Sequence, residues 1–128
     1  MKYLVLLIIT AIFSNCNKDS DDNVLIVTIE NQTDIVITDI KLYVNIGVTS
    51  YNFTDSLIID KIDSKNSYDS SWDLNNLSSV DGGFVMFYNS NSDIKDREFG
   101  YFSNGNLIDK NYHIKIESDT VLITKPSS

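Results

Sequence analysis

The sequence predicts an all-β protein built as a two-sheet antiparallel sandwich, with a small β-barrel as the alternative closure. Three observations predict it. From residue 24 onward, apolar and polar residues alternate with a period of two, which gives a strand one dry face and one wet face. Clusters of Asn, Asp, Gly and Ser break that pattern at close intervals. Only one segment, residues 73–80, has helical spacing, with Leu74 and Leu77 three apart.

The elements follow in order. Residues 24–30 are rich in β-branched side chains and read as a strand. Asn31-Gln32-Thr33-Asp34 is a turn. In residues 35–46, Ile40, Leu42, Val44 and Ile46 alternate with Lys41, Tyr43 and Asn45, so the even positions face the core. Residues 49–53 and 56–62 are two short strands, and 63–66 is a turn cluster. Residues 67–72 form a weaker strand, and 73–80 a helical turn. Asp81-Gly82-Gly83 turns the chain into an apolar run over 84–88, a central strand. Residues 89–93 are a loop and 97–102 a further strand. Ser103-Asn104-Gly105-Asn106 holds the Asn-Gly pair of a tight hairpin turn. In residues 112–117, Ile114 and Ile116 point one way, His113 and Lys115 the other. Residues 118–119 turn into a last strand over 120–124, and Pro126 ends it.

This makes seven to nine strands in about 105 residues, with no internal repeat. The spacing resembles sandwiches of the immunoglobulin or transthyretin type. The stretch from Asp109 to Ile114 loosely resembles the tyrosine corner of such folds, with Tyr112 as the corner residue. Trp72 is the expected core anchor. Tyr101 and Phe102 are adjacent, so one of them must face outward.

The N-terminal residues read MKYLVLLIITAIFSNC. Lys2 supplies a positive start, and an apolar run extends from Tyr3 to Phe13. A membrane-spanning helix needs about 20 residues, so this run has signal-peptide length. The segment Phe13-Ser14-Asn15-Cys16 resembles the lipobox of bacterial lipoproteins. That resemblance implies cleavage after residue 15 and acylation of Cys16. Two or three acyl chains, at about 0.8 kcal/mol per buried CH₂, hold a protein stably on a membrane. Asn17-Lys18-Asp19-Ser20-Asp21-Asp22-Asn23 has no apolar residue and is expected to be a flexible tether. It resembles the short acidic export signal of surface lipoproteins in Bacteroidota, which implies an outer-membrane, outward-facing protein. The domain plan is therefore a signal peptide over 1–15, a lipidated cysteine and tether over 16–23, and one sandwich over 24–128.

Composition narrows the chemistry. The net charge is −8, and removing residues 1–15 takes away one more cation, Lys2. The only arginine is Arg97, and there is no basic run, so nucleic acid is not an expected partner. A single cysteine excludes an internal disulfide and, with a single histidine, a Cys-Cys-His zinc site. His113 is expected at the surface, with no nucleophile motif beside it. Asp93 and Asp96 flank one loop, and Asp19, Asp21 and Asp22 lie in the tether, but no stretch has the alternation of a calcium loop. No metal, cofactor or catalytic residue is expected. Tyr43, Tyr51, Phe53, Tyr68, Tyr88 and their neighbours are expected mainly in packing, though an exposed aromatic face would suit sugar or protein.

Asp55-Ser56-Leu57 and Asp119-Thr120-Val121 resemble the Asp-Ser/Thr-aliphatic motif for periplasmic O-glycosylation in Bacteroidota, with Ser56 and Thr120 as acceptors. The expected role is a non-enzymatic binding or structural module at the envelope, bound to the membrane by its lipid and to an envelope protein or glycan by its surface. An exposed aromatic patch would favour a glycan; a bare strand edge would favour a protein. An inhibitor of a basic toxin or lysozyme is a further alternative, since acidity would steer it to such a target.

Overall fold

The computed structural model describes residues 23–46, 51–77 and 79–126. Nine strands make up the described chain: β1 (Val24–Asn31), β2 (Ile37–Asn45), β3 (Tyr51–Ile62), β4 (Ser67–Asp73), β5 (Gly82–Ser90), β6 (Asp93–Ser103), β7 (Asn106–Leu107), β8 (Asn111–Ile116) and β9 (Val121–Thr124). They form two sheets, ordered β4-β1-β8-β9 and β3-β2-β5-β6-β7, the second curled as a half-barrel. The ladders are antiparallel except for β1 and β8, which run parallel with Val27 beside Tyr112 and Ile29 beside Ile114. The all-β, two-sheet prediction holds, with this one parallel pair inside it.

The core lies between the sheets. Leu25, Val27 and Ile29 of β1, Ile114 and Ile116 of β8, Leu42 of β2 and Met86 of β5 are all buried. Phe84 sits among three other rings, with centroids 5.5 Å from Phe99, 5.6 Å from Phe102 and 5.8 Å from Trp72. Trp72 is thus the core anchor its sequence position predicts.

Two bulges explain where simple alternation fails. Phe99 and Phe102 both face the core although they are three positions apart. The extra residue is taken up where β6 shifts register against Gly82 and Phe84 of β5. Gly100 sits there at φ +68, and a Cβ on it would lie 2.8 Å from the Phe84 ring, so glycine serves both the left-handed backbone and the close approach. In β2 the shift falls between Thr38 and Lys41, with Asp39 at φ 51. Ile37 therefore joins Ile40, Leu42 and Val44 in the core. Ile46, expected inside, lies past the end of β2 and is exposed.

Other boundaries differ for local reasons. The two strands expected at 49–53 and 56–62 are one strand, β3, whose register against β2 breaks at Tyr43/Val44. The helical turn expected over 73–80 is a single hydrogen-bonded turn, Leu77 N–H to Leu74 O at 3.1 Å, and Leu74 is buried. The loop expected over 89–93 is a two-residue hairpin: Asn91 and Ser92 have φ 54 and 64, so β5 and β6 pair up to Ser90 and Asp93. The predicted Asn-Gly turn is present, with Asn104 at φ 50 and Gly105 at φ 75.

Candidate functional site

Cys16 lies outside the described residues, as do the tether acids Asp19, Asp21 and Asp22. The chain enters the fold at Asn23, which the sequence places in the tether but which is buried at the start of β1. Its backbone N–H donates to Asn75 Oδ1 at 2.9 Å. Its side-chain amide donates to Gly105 O at 2.6 Å and accepts from Leu107 N–H at 3.3 Å. Asn23 therefore packs with the sandwich, at one end of it. Strand directions put residues 74–77, 79–82 and 103–110 at that end, and the turns at 32–36, 63–66, 91–92 and 117–120 at the other.

The two candidate acceptors are both exposed and far apart in the fold. Ser56 lies on β3, the edge of its sheet, opposite Tyr43. Thr120 lies in the turn between β8 and β9, where its carbonyl accepts the Glu117 N–H at 2.9 Å.

His113 is half-buried on the outer face of the four-stranded sheet, and its Nε2 lies 3.0 Å from Glu30 Oε2. Gln32 Nε2 donates to Glu30 Oε1 at 2.6 Å, and this bond, then that with His113, holds the carboxyl below its usual range against partial burial. Asp93 and Asp96 are three positions apart on β6 and so on opposite faces, and among the described residues no three metal-ligating side chains converge.

The aromatics divide by face. Trp72, Tyr88, Phe102 and Tyr112 are buried, Tyr68 and Tyr101 exposed. Burial pushes both the Tyr88 and Tyr112 phenols up, with nearby carboxylates (Asp93 and Asp96; Asp109) adding to it. Tyr112 packs edge-on to Phe99 at 5.4 Å, so it ties β8 to β6 across the core.

Two of the concavities on the five-stranded sheet have mainly apolar walls. A groove of about 410 Å³ on its outer face is lined by Asp39, Lys41, Tyr43, Phe87, Asn89 and Ile94. Tyr43 and Phe87 meet edge-to-face at 5.9 Å, and Ile94 is 74% exposed. The bulge at Asp39 is what brings a carboxylate to this wall. A second cleft, about 430 Å³, runs between β6 and β9 over Phe99, Tyr112 and Ile123, with the Asp109–Lys125 ion pair (2.7 Å) in its wall. That carboxylate raises the Lys125 pKa.

This side of β6 has no counterpart in the expected elements, a loop over 89–93 and a strand from 97, because the hairpin turn at Asn91-Ser92 lets β6 start at Asp93. The alternating charges Lys95-Asp96-Arg97-Glu98 were the available signal.

No protein-family model matches the chain, and no curated protein matches it. Among solved structures, an NMR structure of a protein from Eubacterium rectale aligns at 16% identity, covering 85% of this chain and 94% of that one, with a TM-score of 0.49.

Proposed function

We propose that this chain is a lipid-anchored, non-catalytic binding module of the bacterial outer membrane, presenting its sandwich to an envelope protein. The observation that carries the reading is the fixed entry at Asn23, taken with a lipobox-like Cys16 seven residues earlier. A chain that long spans at most about 25 Å. Acylation at Cys16 therefore holds the Asn23 end toward the membrane, leaves the turns at 32–36 and 117–120 farthest from it, and keeps the strand edges facing sideways. The acidic mature chain would speed encounter with a basic partner. Ser56 and Thr120, both exposed, are open to a glycosyltransferase that reads Asp-Ser/Thr-aliphatic.

A second reading, a glycan-binding accessory lipoprotein, is favoured by the groove, where aromatic edges stand beside Asp39, Lys41 and Asn89.

Intact-mass analysis of the membrane-extracted protein, with palmitate labelling of wild type and Cys16→Ser, tests the anchor and the acceptors together. The expected product begins at residue 16, carries acyl mass lost in Cys16→Ser, and carries sugar mass on Ser56 and Thr120. A product beginning elsewhere without acyl mass overturns the anchor; a product without sugar removes the two acceptors.

A further inference from the structure

We propose that the open edge of β6 is a β-augmentation site for an extended segment of a partner protein whose charges alternate in the opposite sense to those of β6. The proposal rests on the binding-module reading above and names its surface.

β6 is the last long strand of its sheet. β7 pairs with Phe102 and Ser103 alone, and the Ile108 N–H takes the Tyr101 carbonyl at 3.2 Å. From residue 93 to 100, no other strand among the described residues pairs with β6 on that side. In an antiparallel strand alternate residues turn both backbone polar groups to each neighbour, so this edge is a template for another strand.

Over residues 95–98 its side chains are sorted by sign. The ladder with β5 sets Lys95 opposite Tyr88, Arg97 opposite Met86 and Phe99 opposite Phe84, all on the core side. It sets Asp96 opposite Phe87 and Glu98 opposite Val85, on the outer side. None of Lys95, Asp96, Arg97 and Glu98 forms an ion pair among the described residues. A second copy pairing antiparallel about a two-fold axis keeps each face on its own side. Centred on Asp96 or Arg97, such pairing would set cation against cation and anion against anion, which is destabilising. The edge thus resists self-pairing and selects a strand with acids on the core side and bases on the outer side.

The cleft supplies the third determinant. It opens beside Phe99 over Tyr112 and Ile123, which gives one apolar side chain on the partner's core-side face a place to enter. Read antiparallel from Phe99 to Lys95, the complementary segment is apolar, basic, acidic, basic, acidic: Val-Lys-Glu-Lys-Glu.

The test is an amide NMR titration of the full chain in detergent micelles with two synthetic peptides, centred on Val-Lys-Glu-Lys-Glu and on its charge-exchanged counterpart Val-Glu-Lys-Glu-Lys. The first is expected to shift amides over residues 94–100 and to bind about tenfold tighter than the second. The variant Lys95→Glu/Asp96→Lys/Arg97→Glu/Glu98→Lys, which exchanges the charge on each face, is expected to reverse that order. Equal affinities, an unchanged order in the variant, or shifts centred elsewhere overturn the edge assignment. Because the acyl and sugar masses are read separately, that failure leaves the anchored-module reading standing, whereas a missing acyl mass leaves the edge standing.

Discussion

A buried asparagine stands at each end of strand β1, Asn23 just before it and Asn31 as its last residue, and the two differ in how far along the chain their partners lie. At the far end, Asn31 Nδ2 donates to Ile35 O at 2.8 Å and Ile62 O at 3.0 Å, while its Oδ1 accepts from the Thr33 N–H at 3.0 Å and the Thr33 hydroxyl at 2.7 Å. Three of these four bonds lie within four residues. At the entry end, the Asn23 side chain is satisfied only by Gly105 and Leu107, 82 and 84 residues away. A buried amide needs its partners wherever they are. The far end can therefore organise once β1 and the following turn meet, whereas the entry end is complete only when the Asn104-Gly105 hairpin has docked. The Asn23 end is the one whose closure depends on the finished fold.

The largest expected effect is at Asn31. Asn31→Ala strips four hydrogen bonds from a fully buried site and leaves the Ile35 and Ile62 carbonyls and the Thr33 N–H without this partner. Denaturant unfolding should show a loss of about 3 kcal/mol. A loss under about 1 kcal/mol would mean that water replaces the amide, and the contrast between the two ends would vanish.

Asn23→Ala removes two side-chain bonds and should cost less, about 1–2 kcal/mol. Its signature is place rather than size. Hydrogen exchange is expected to quicken at Leu74, Gly105 and Leu107 while the amides around Thr33 keep their protection. Uniform loss of protection through the chain would make the two ends one cooperative unit.

The far end was legible in the sequence and the entry end was not, and the reason is the same difference in range. Asn31-Gln32-Thr33-Asp34 announces a turn by its own chemistry, because Asn and Thr side chains bond nearby backbone. Asn23 stands at the end of a run of polar residues and has the composition of a linker. Nothing local marks it as buried, since its partners are more than 80 residues away. The strands were readable wherever alternation was unbroken, as in β1 and β8. They were misread where a bulge changes the phase, at Asp39 and Gly100, because one inserted residue moves every later side chain to the other face. The candidate edge was half visible: its charges are plain in the sequence, but that β6 lies at the side of its sheet follows from strand order, which spacing does not encode. The groove depends on Lys41, Phe87 and Ile94 meeting across three strands and had no sequence signal.

Acid titration is expected to give the smallest effect and resolves the two ends by chemistry. Each carries a carboxyl held below its usual range: Glu30 beside Asn31, through Gln32 first, and Asp81 at the entry end, through the Asn104 N–H first and then the Ser103 hydroxyl, both at 2.9 Å. A carboxyl whose folded pKa is depressed contributes stability above its unfolded value, about 4. That contribution is lost as pH falls from there through the folded value, because the unfolded chain binds the proton first. The melting temperature should therefore drop below about pH 4, and Glu30→Gln and Asp81→Asn should each flatten part of that drop. Because Asp81 accepts from the turn that Asn23 needs, its protonation should speed amide exchange at Gly105 and Leu107 before any change near Thr33. Identical acid slopes in wild type and Asp81→Asn would show that this carboxylate does not help to hold the hairpin, and that Asn23 alone keeps the entry end shut.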